Sequence, residues 1–143
     1  MPTIEELKYP IGKYISQENI SDEQIQKWIH EIEILPQRLK NLVENFSVLQ
    51  LDTRYRPDGW TVRQVVHHIA DSHMNAYIRF HLMLTEENPA IRPYKENLWA
   101  ELSYLKNLDI NFSLNIITTL HARWVLLLKS INKNDYAKTY FHP

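Results

Sequence analysis

Apolar residues recur at helical intervals in three long stretches of this chain, separated by polar and turn-forming residues. From Ser21 onward Ile25, Trp28, Ile29, Ile32, Leu35, Leu39, Leu42, Val43 and Phe46 fall three and four positions apart, the spacing of one face of an α-helix. Ser21 with Gln24 forms a capping-box pattern, in which each side chain can satisfy the other's free backbone N–H. Pro36 lies inside the pattern and predicts a kink, because proline removes one helical hydrogen bond and crowds the preceding turn. Asp52–Gly59 reads as a polar loop. Thr61 with Gln64 then opens a second helix from Val62 to about Thr85. Asn88, Pro89 and Pro93 mark another loop, and Glu96–Lys106 reads as a short helix. A third long helix, from near Asp109 to near Asn132, carries the stripe Leu114, Ile117, His121, Trp124, Val125, Leu128 and Ile131. Residues 1–20, with Pro2, Pro10 and Gly12, read as an extended arm lying on a surface. No alternating strand pattern occurs, so the predicted class is all-α, with three long antiparallel helices.

Composition narrows the chemistry. The 143 residues are sized for a single domain, 1–143. Sixteen basic residues against 17 acidic ones give a formal charge of -1. With no Lys/Arg run, no nucleic-acid partner is expected. The absence of cysteine excludes disulfides, a thiol nucleophile of the chain's own and Cys-ligated zinc. Two glycines, Gly12 and Gly59, are too few for a phosphate-cradling loop. The longest strictly apolar run, Trp124–Leu128, cannot span a bilayer. No membrane association is expected, and the acidic N-terminus points to a cytoplasmic location.

Seven histidines stand out. On a helical wheel of the second helix, Val62, Val66, Ile69, Ala76, Phe80 and Met83 define a buried arc that includes His73. His68 falls just off its edge, beside Ser72, and His67 points nearly away from it, near Asp71. His67 therefore reads as solvated. His73 and His121 lie on apolar stripes, where a hydrogen-bonded core histidine is the commoner outcome. His30 and His81 read as surface residues, and His142 lies in the tail. No H-x-x-x-H pair is present, so no metal site is visible by motif alone.

The segment WTVRQVVHHIADSHMNAYIRF (Trp60–Phe80) closely resembles the YfiT type of the DinB-like superfamily. YPIGKY (Tyr9–Tyr14), QLDTRYRPDGW (Gln50–Trp60), LTEENPAIRPY (Leu84–Tyr94), LHARW (Leu120–Trp124) and YFHP (Tyr140–Pro143) extend the resemblance over essentially the whole chain. It implies an up-and-down four-helix bundle that forms homodimers and acts as a metal-dependent hydrolase related to bacillithiol transferases. It also implies a zinc or nickel ion held by three histidines, one on the second helix and two at H-x-x-x-H spacing on the last. The second-helix ligand precedes a hydrophobic–Ala–Asp triplet, here Ile69–Ala70–Asp71, and so falls on His68. Such an ion activates water or a thiol nucleophile.

The resemblance places the last helix, with its two ligands, beyond Pro143. One copy of the 143 residues is therefore expected to supply one ligand of three, and His121 and His142, although in family-like segments, gain no ligand role from the resemblance. The lead expectation is a hydrolase acting on a small molecule. A transferase using a low-molecular-weight thiol and a non-catalytic dimerising scaffold are the rivals. A bundle short of one helix is also expected to expose an apolar trough along the stripes of Leu39, Phe80 and Leu128, and to self-associate through it or be molten.

Overall fold

The computed structural model describes residues 2–143. The helices are α1 (Ile4–Lys8), α2 (Asp22–Val43), α3 (Val48–Leu51), α4 (Val62–Thr85), α5 (Glu96–Ala100) and α6 (Ile110–Ser130), with 3₁₀ turns at Ser103–Lys106 and Lys133–Ala137. The three long helices start where the capping residues place them. Ser21 accepts from the Gln24 N–H, Thr61 and Gln64 cap each other reciprocally, and Asp109 accepts from the Asn111 N–H. Among the described residues no strand forms, only isolated bridges at Arg54–Thr61 and Ala90–Phe141. The all-helical class stands.

The order of packing follows from which residues meet. Arg63 Nη1 donates to the Leu108 carbonyl at 2.9 Å, His67 meets Ser113 at 2.7 Å, and His73 meets His121 at 2.7 Å. Partners advance together along both helices, so α4 and α6 run parallel. Val43 packs with Ile110 and Leu114 at one end, and Ile29 with Trp124, Val125 and Leu128 at the other. Hence α2 is antiparallel to both. Strict up-and-down alternation therefore holds from α2 to α4 and stops there. The physical reason is the connection 86–109, which is long enough to carry the chain back along α4, whereas short loops give antiparallel neighbours. α6 is the central element: it packs closely along both α2 and α4, and Ile117 on it is fully buried.

Both ends of the chain differ from the simplest reading. Thr3 and Glu6 form a capping box that starts α1. The arm that follows does not lie on a surface, since Ile11, Tyr14 and Ile15 are exposed. The tail is pinned instead: Phe141 donates its N–H to the Pro89 carbonyl and accepts from the Ile91 N–H, both at 2.9 Å. Tyr136 donates to the Leu128 carbonyl at 2.9 Å, sharing that acceptor at the end of α6 with the Ile131 N–H. The expected apolar trough is divided. Leu39 lines a groove of about 390 Å³ between α2 and α4 with Leu35, Leu42 and Ile69. Phe80 and Leu128 line a separate one with Ile25, Trp28 and Ile29. Among the described residues, no helix is long and apolar enough to cross a membrane.

Candidate functional site

His68 lies near the start of α4, half-buried. The loop before the helix sets its surroundings. Tyr55 donates its N–H to the Trp60 carbonyl, and Val62 donates to Thr53. Arg54 also donates to the Gly59 carbonyl, closing a tight turn. A side chain at Gly59 would meet the Arg56 side chain at 2.7 Å, so the turn needs glycine there. This turn delivers Trp60 onto His68, with ring centroids 4.6 Å apart. Arg63, 7% exposed, fixes the helix start by pairing with Asp52 at 2.8 Å while it holds the Leu108 carbonyl. Gln64 ties the same turn to the Ala100 carbonyl at 3.0 Å.

Among the described residues nothing hydrogen-bonds to the His68 ring, so both its nitrogens are unclaimed by the fold. One turn along, Asp71 is half-buried and has no ion pair. Burial pushes its carboxyl above the usual range, against the opposing pull of His68. An imidazole and a carboxyl left unpartnered on one side of a helix can bind and exchange protons.

Four of the other histidines, His67, His73, His81 and His121, are engaged by the fold. His67 is the main correction, because it is 1% exposed rather than solvated. Its Nδ1 meets the Ser113 hydroxyl at 2.7 Å, and its Nε2 is buried with no partner. Burial lowers its pKa, Arg63 adds to that, and the Leu108 carbonyl and Asp109 oppose it. The apolar wheel misplaces His67 because α4 meets α6 partly through a polar face of Arg63, His67 and Ser113. A second small correction concerns His81: it is half-buried on the Tyr77 ring and donates to the Tyr77 carbonyl at 2.9 Å. His30 is exposed near Glu33, and His142 is exposed in the tail.

His73 and His121 are core histidines, and the structure joins them. His121 Nδ1 lies 2.6 Å from the Ile32 carbonyl. A carbonyl only accepts, so His121 carries its proton on Nδ1 and presents an Nε2 lone pair. His73 Nδ1–H donates to that lone pair at 2.7 Å. Pro36 supplies the other half of this arrangement. In a regular helix the residue four positions after Ile32 would bond its carbonyl, and Pro36 has no N–H to do so. The carbonyl freed by the proline is the one His121 takes. Burial, with His121 and His68 nearby, lowers the His73 pKa to about 4, so the pair is neutral at physiological pH.

The sequence profile of the DinB superfamily matches residues 31–143. The chain belongs to the DinB superfamily. Within it, the chain is 53% identical over 137 residues to the "Putative metal-dependent hydrolase YfiT" of Bacillus subtilis (strain 168), covering 96% of this chain and 77% of that protein. It is equally 53% identical over 138 residues to a protein of the same description from Bacillus cereus (strain AH820), covering 96% and 79%. The solved structure of YfiT from Bacillus subtilis superposes with a TM-score of 0.94 over 96% of this chain and 79% of that one. That protein is described as having an unusual four-helix bundle topology, and parallel α4 and α6 are a departure from simple alternation in this DinB-superfamily chain.

The DinB relatives' names imply a metal. His68 fits as one ligand, because it is an imidazole with both nitrogens free. No group of three His, Cys, Asp or Glu residues suited to an ion forms among the described residues. His73 and His121 do not complete the set with His68. The described residues therefore do not make a whole site.

Proposed function

We propose that this chain belongs to a metal-dependent hydrolase in which His68 supplies one ligand to the ion. The observation that carries this is the 53% identity over 96% of the chain to a relative named as such a hydrolase. The unclaimed ring of His68 at the head of α4 supports it locally. Zinc or nickel is the proposed ion, and the remaining ligands come from outside the described residues. Asp71 is the proposed proton-exchanging group beside the ion. A homodimer and a cytoplasmic setting are part of the same proposal.

Metal titration by calorimetry, with an ester panel assayed in parallel, tests it. Zinc or nickel binding and ester turnover are both expected to fall sharply in His68→Ala, while the melting transition is retained. Metal binding unaffected by His68→Ala would remove His68 from the assignment. Failure of either metal to support turnover in a folded, metal-loaded protein would overturn the hydrolase reading.

A further inference from the structure

A cavity of about 610 Å³ lies against α4, walled by Asn75, Arg92, Tyr94, Lys95, Leu98 and Trp99. Its volume is within the range that encloses a small organic molecule. Asn75 stands seven residues beyond His68 on the same side of α4, about two turns or ~10 Å along the axis. The wall has two characters. Leu98 is 60% exposed and Trp99 39%, with the Trp99 ring packed on Tyr94 at 4.7 Å. The exposed apolar area thus has a rigid aromatic backing.

The second character is cationic. Among the described residues, Arg92 and Lys95 have no ion pair, and neither does Arg79, half-buried one turn beyond Asn75. Surface arginines often lack partners. Two unpaired cations, Arg92 and Lys95, on the wall of one aromatic-backed cavity form a more specific arrangement, because a planar guanidinium matches a carboxylate bidentately. The facing acidic groups are Glu96 and Asp71, whose charges help burial to raise the Tyr94 pKa against Arg79. Tyr94 thus keeps its proton, and its ring remains a neutral wall.

We infer that this cavity binds a small amphiphilic carboxylate, its apolar part on Trp99 and Leu98 and its carboxylate at Arg92 and Lys95. This rests on the hydrolase proposal only for its meaning as a substrate site: a molecule seated there would extend ~10 Å toward His68, placing a hydrolysable bond near Asp71 and His68. The binding itself requires no metal.

Calorimetric titration of phenylacetate and of phenylacetamide, its neutral analogue, into protein freed of metal by dialysis tests the inference. Phenylacetate is expected to bind with the amide at least about tenfold weaker, the equivalent of ~1.4 kcal/mol. Arg92→Ala, at an exposed position that leaves the fold intact, is expected to weaken phenylacetate at least about fivefold and the amide much less, in keeping with a charge-assisted contact. Trp99→Ala is expected to weaken both. Equal binding of acid and amide, no saturable binding of phenylacetate, or full affinity in Arg92→Ala would each overturn the assignment. Because the protein is metal-free throughout, failure of the metal-site proposal would leave this result unchanged, and the reverse also holds.

Discussion

His68 and the His73–His121 pair sit on the same long helix system, yet the fold treats them in opposite ways. The pair is tied into the fold: a proline-freed carbonyl takes one imidazole, which takes the other. His68 has only an aromatic neighbour, and the carboxyl one turn away has no partner either. Buried polar groups are ordinarily satisfied, since an orphaned one costs roughly 1–3 kcal/mol. Histidines that the fold satisfies hold the helices together, and those it leaves free are available for chemistry. Counting imidazoles cannot separate the two roles; following their hydrogen bonds does.

Three changes would break or sharpen that contrast. The largest effect is expected from His121→Ala, which opens a cavity and strands both the Ile32 carbonyl and the His73 N–H. A loss of ~3–4 kcal/mol is expected in a denaturant titration. A loss below ~1 kcal/mol would show that the pair contributes no more than an ordinary surface contact.

Acid should attack the pair next. The His73 pKa is about 4 when folded, against 6.5 for an ordinary imidazole, so the unfolded chain binds the proton more readily. Stability from this group is therefore intact above pH 6.5 and falls as pH drops toward 4, by ~3 kcal/mol in all. Thermal melts across that window, compared with those of His73→Gln, should show the slope in the parent and its reduction in the variant. Parallel slopes would assign the acid sensitivity to other groups.

The smallest effect belongs to His68→Ala. With no hydrogen bond to lose, it should change unfolding free energy by no more than ~0.5–1 kcal/mol, the worth of its ring contact with Trp60. A larger loss would make His68 a structural residue and erase the contrast.

Much of the helical layout was legible in the sequence, and the reasons are local. Ser21, Thr61 and Asp109 mark the starts of α2, α4 and α6 because capping is decided within four residues. The same signal is present at Thr3–Glu6 and Ser47–Gln50, where short helices form that hydrophobic periodicity does not register. The parallel setting of α4 and α6 depends on tertiary packing, although the length of 86–109 was a clue. His67 was misplaced because an apolar wheel cannot see a helix interface made with Arg63 and Ser113. The His73–His121 bond was hidden for a related reason, since residues so far apart in sequence meet only through the fold. Within the candidate site, the motif picked out His68, but the Trp60 contact and the cavity beside Asn75 arise from loops whose paths no periodicity encodes.

The parallel setting of α4 and α6 also shapes how this chain must fold. Sequential helices in a simple bundle can zip as hairpins, each new helix docking on the last. Here α2 and α4 share their closest packing with α6, and the bonds joining α4 to α6 span 46 and 48 residues. Closing such separations costs entropy before any contact compensates for it, and non-local contacts slow folding. During synthesis the apolar faces of α2 and α4 are made well before their common partner. Until residues 110–130 emerge, the nascent chain has two amphipathic helices and no core to share.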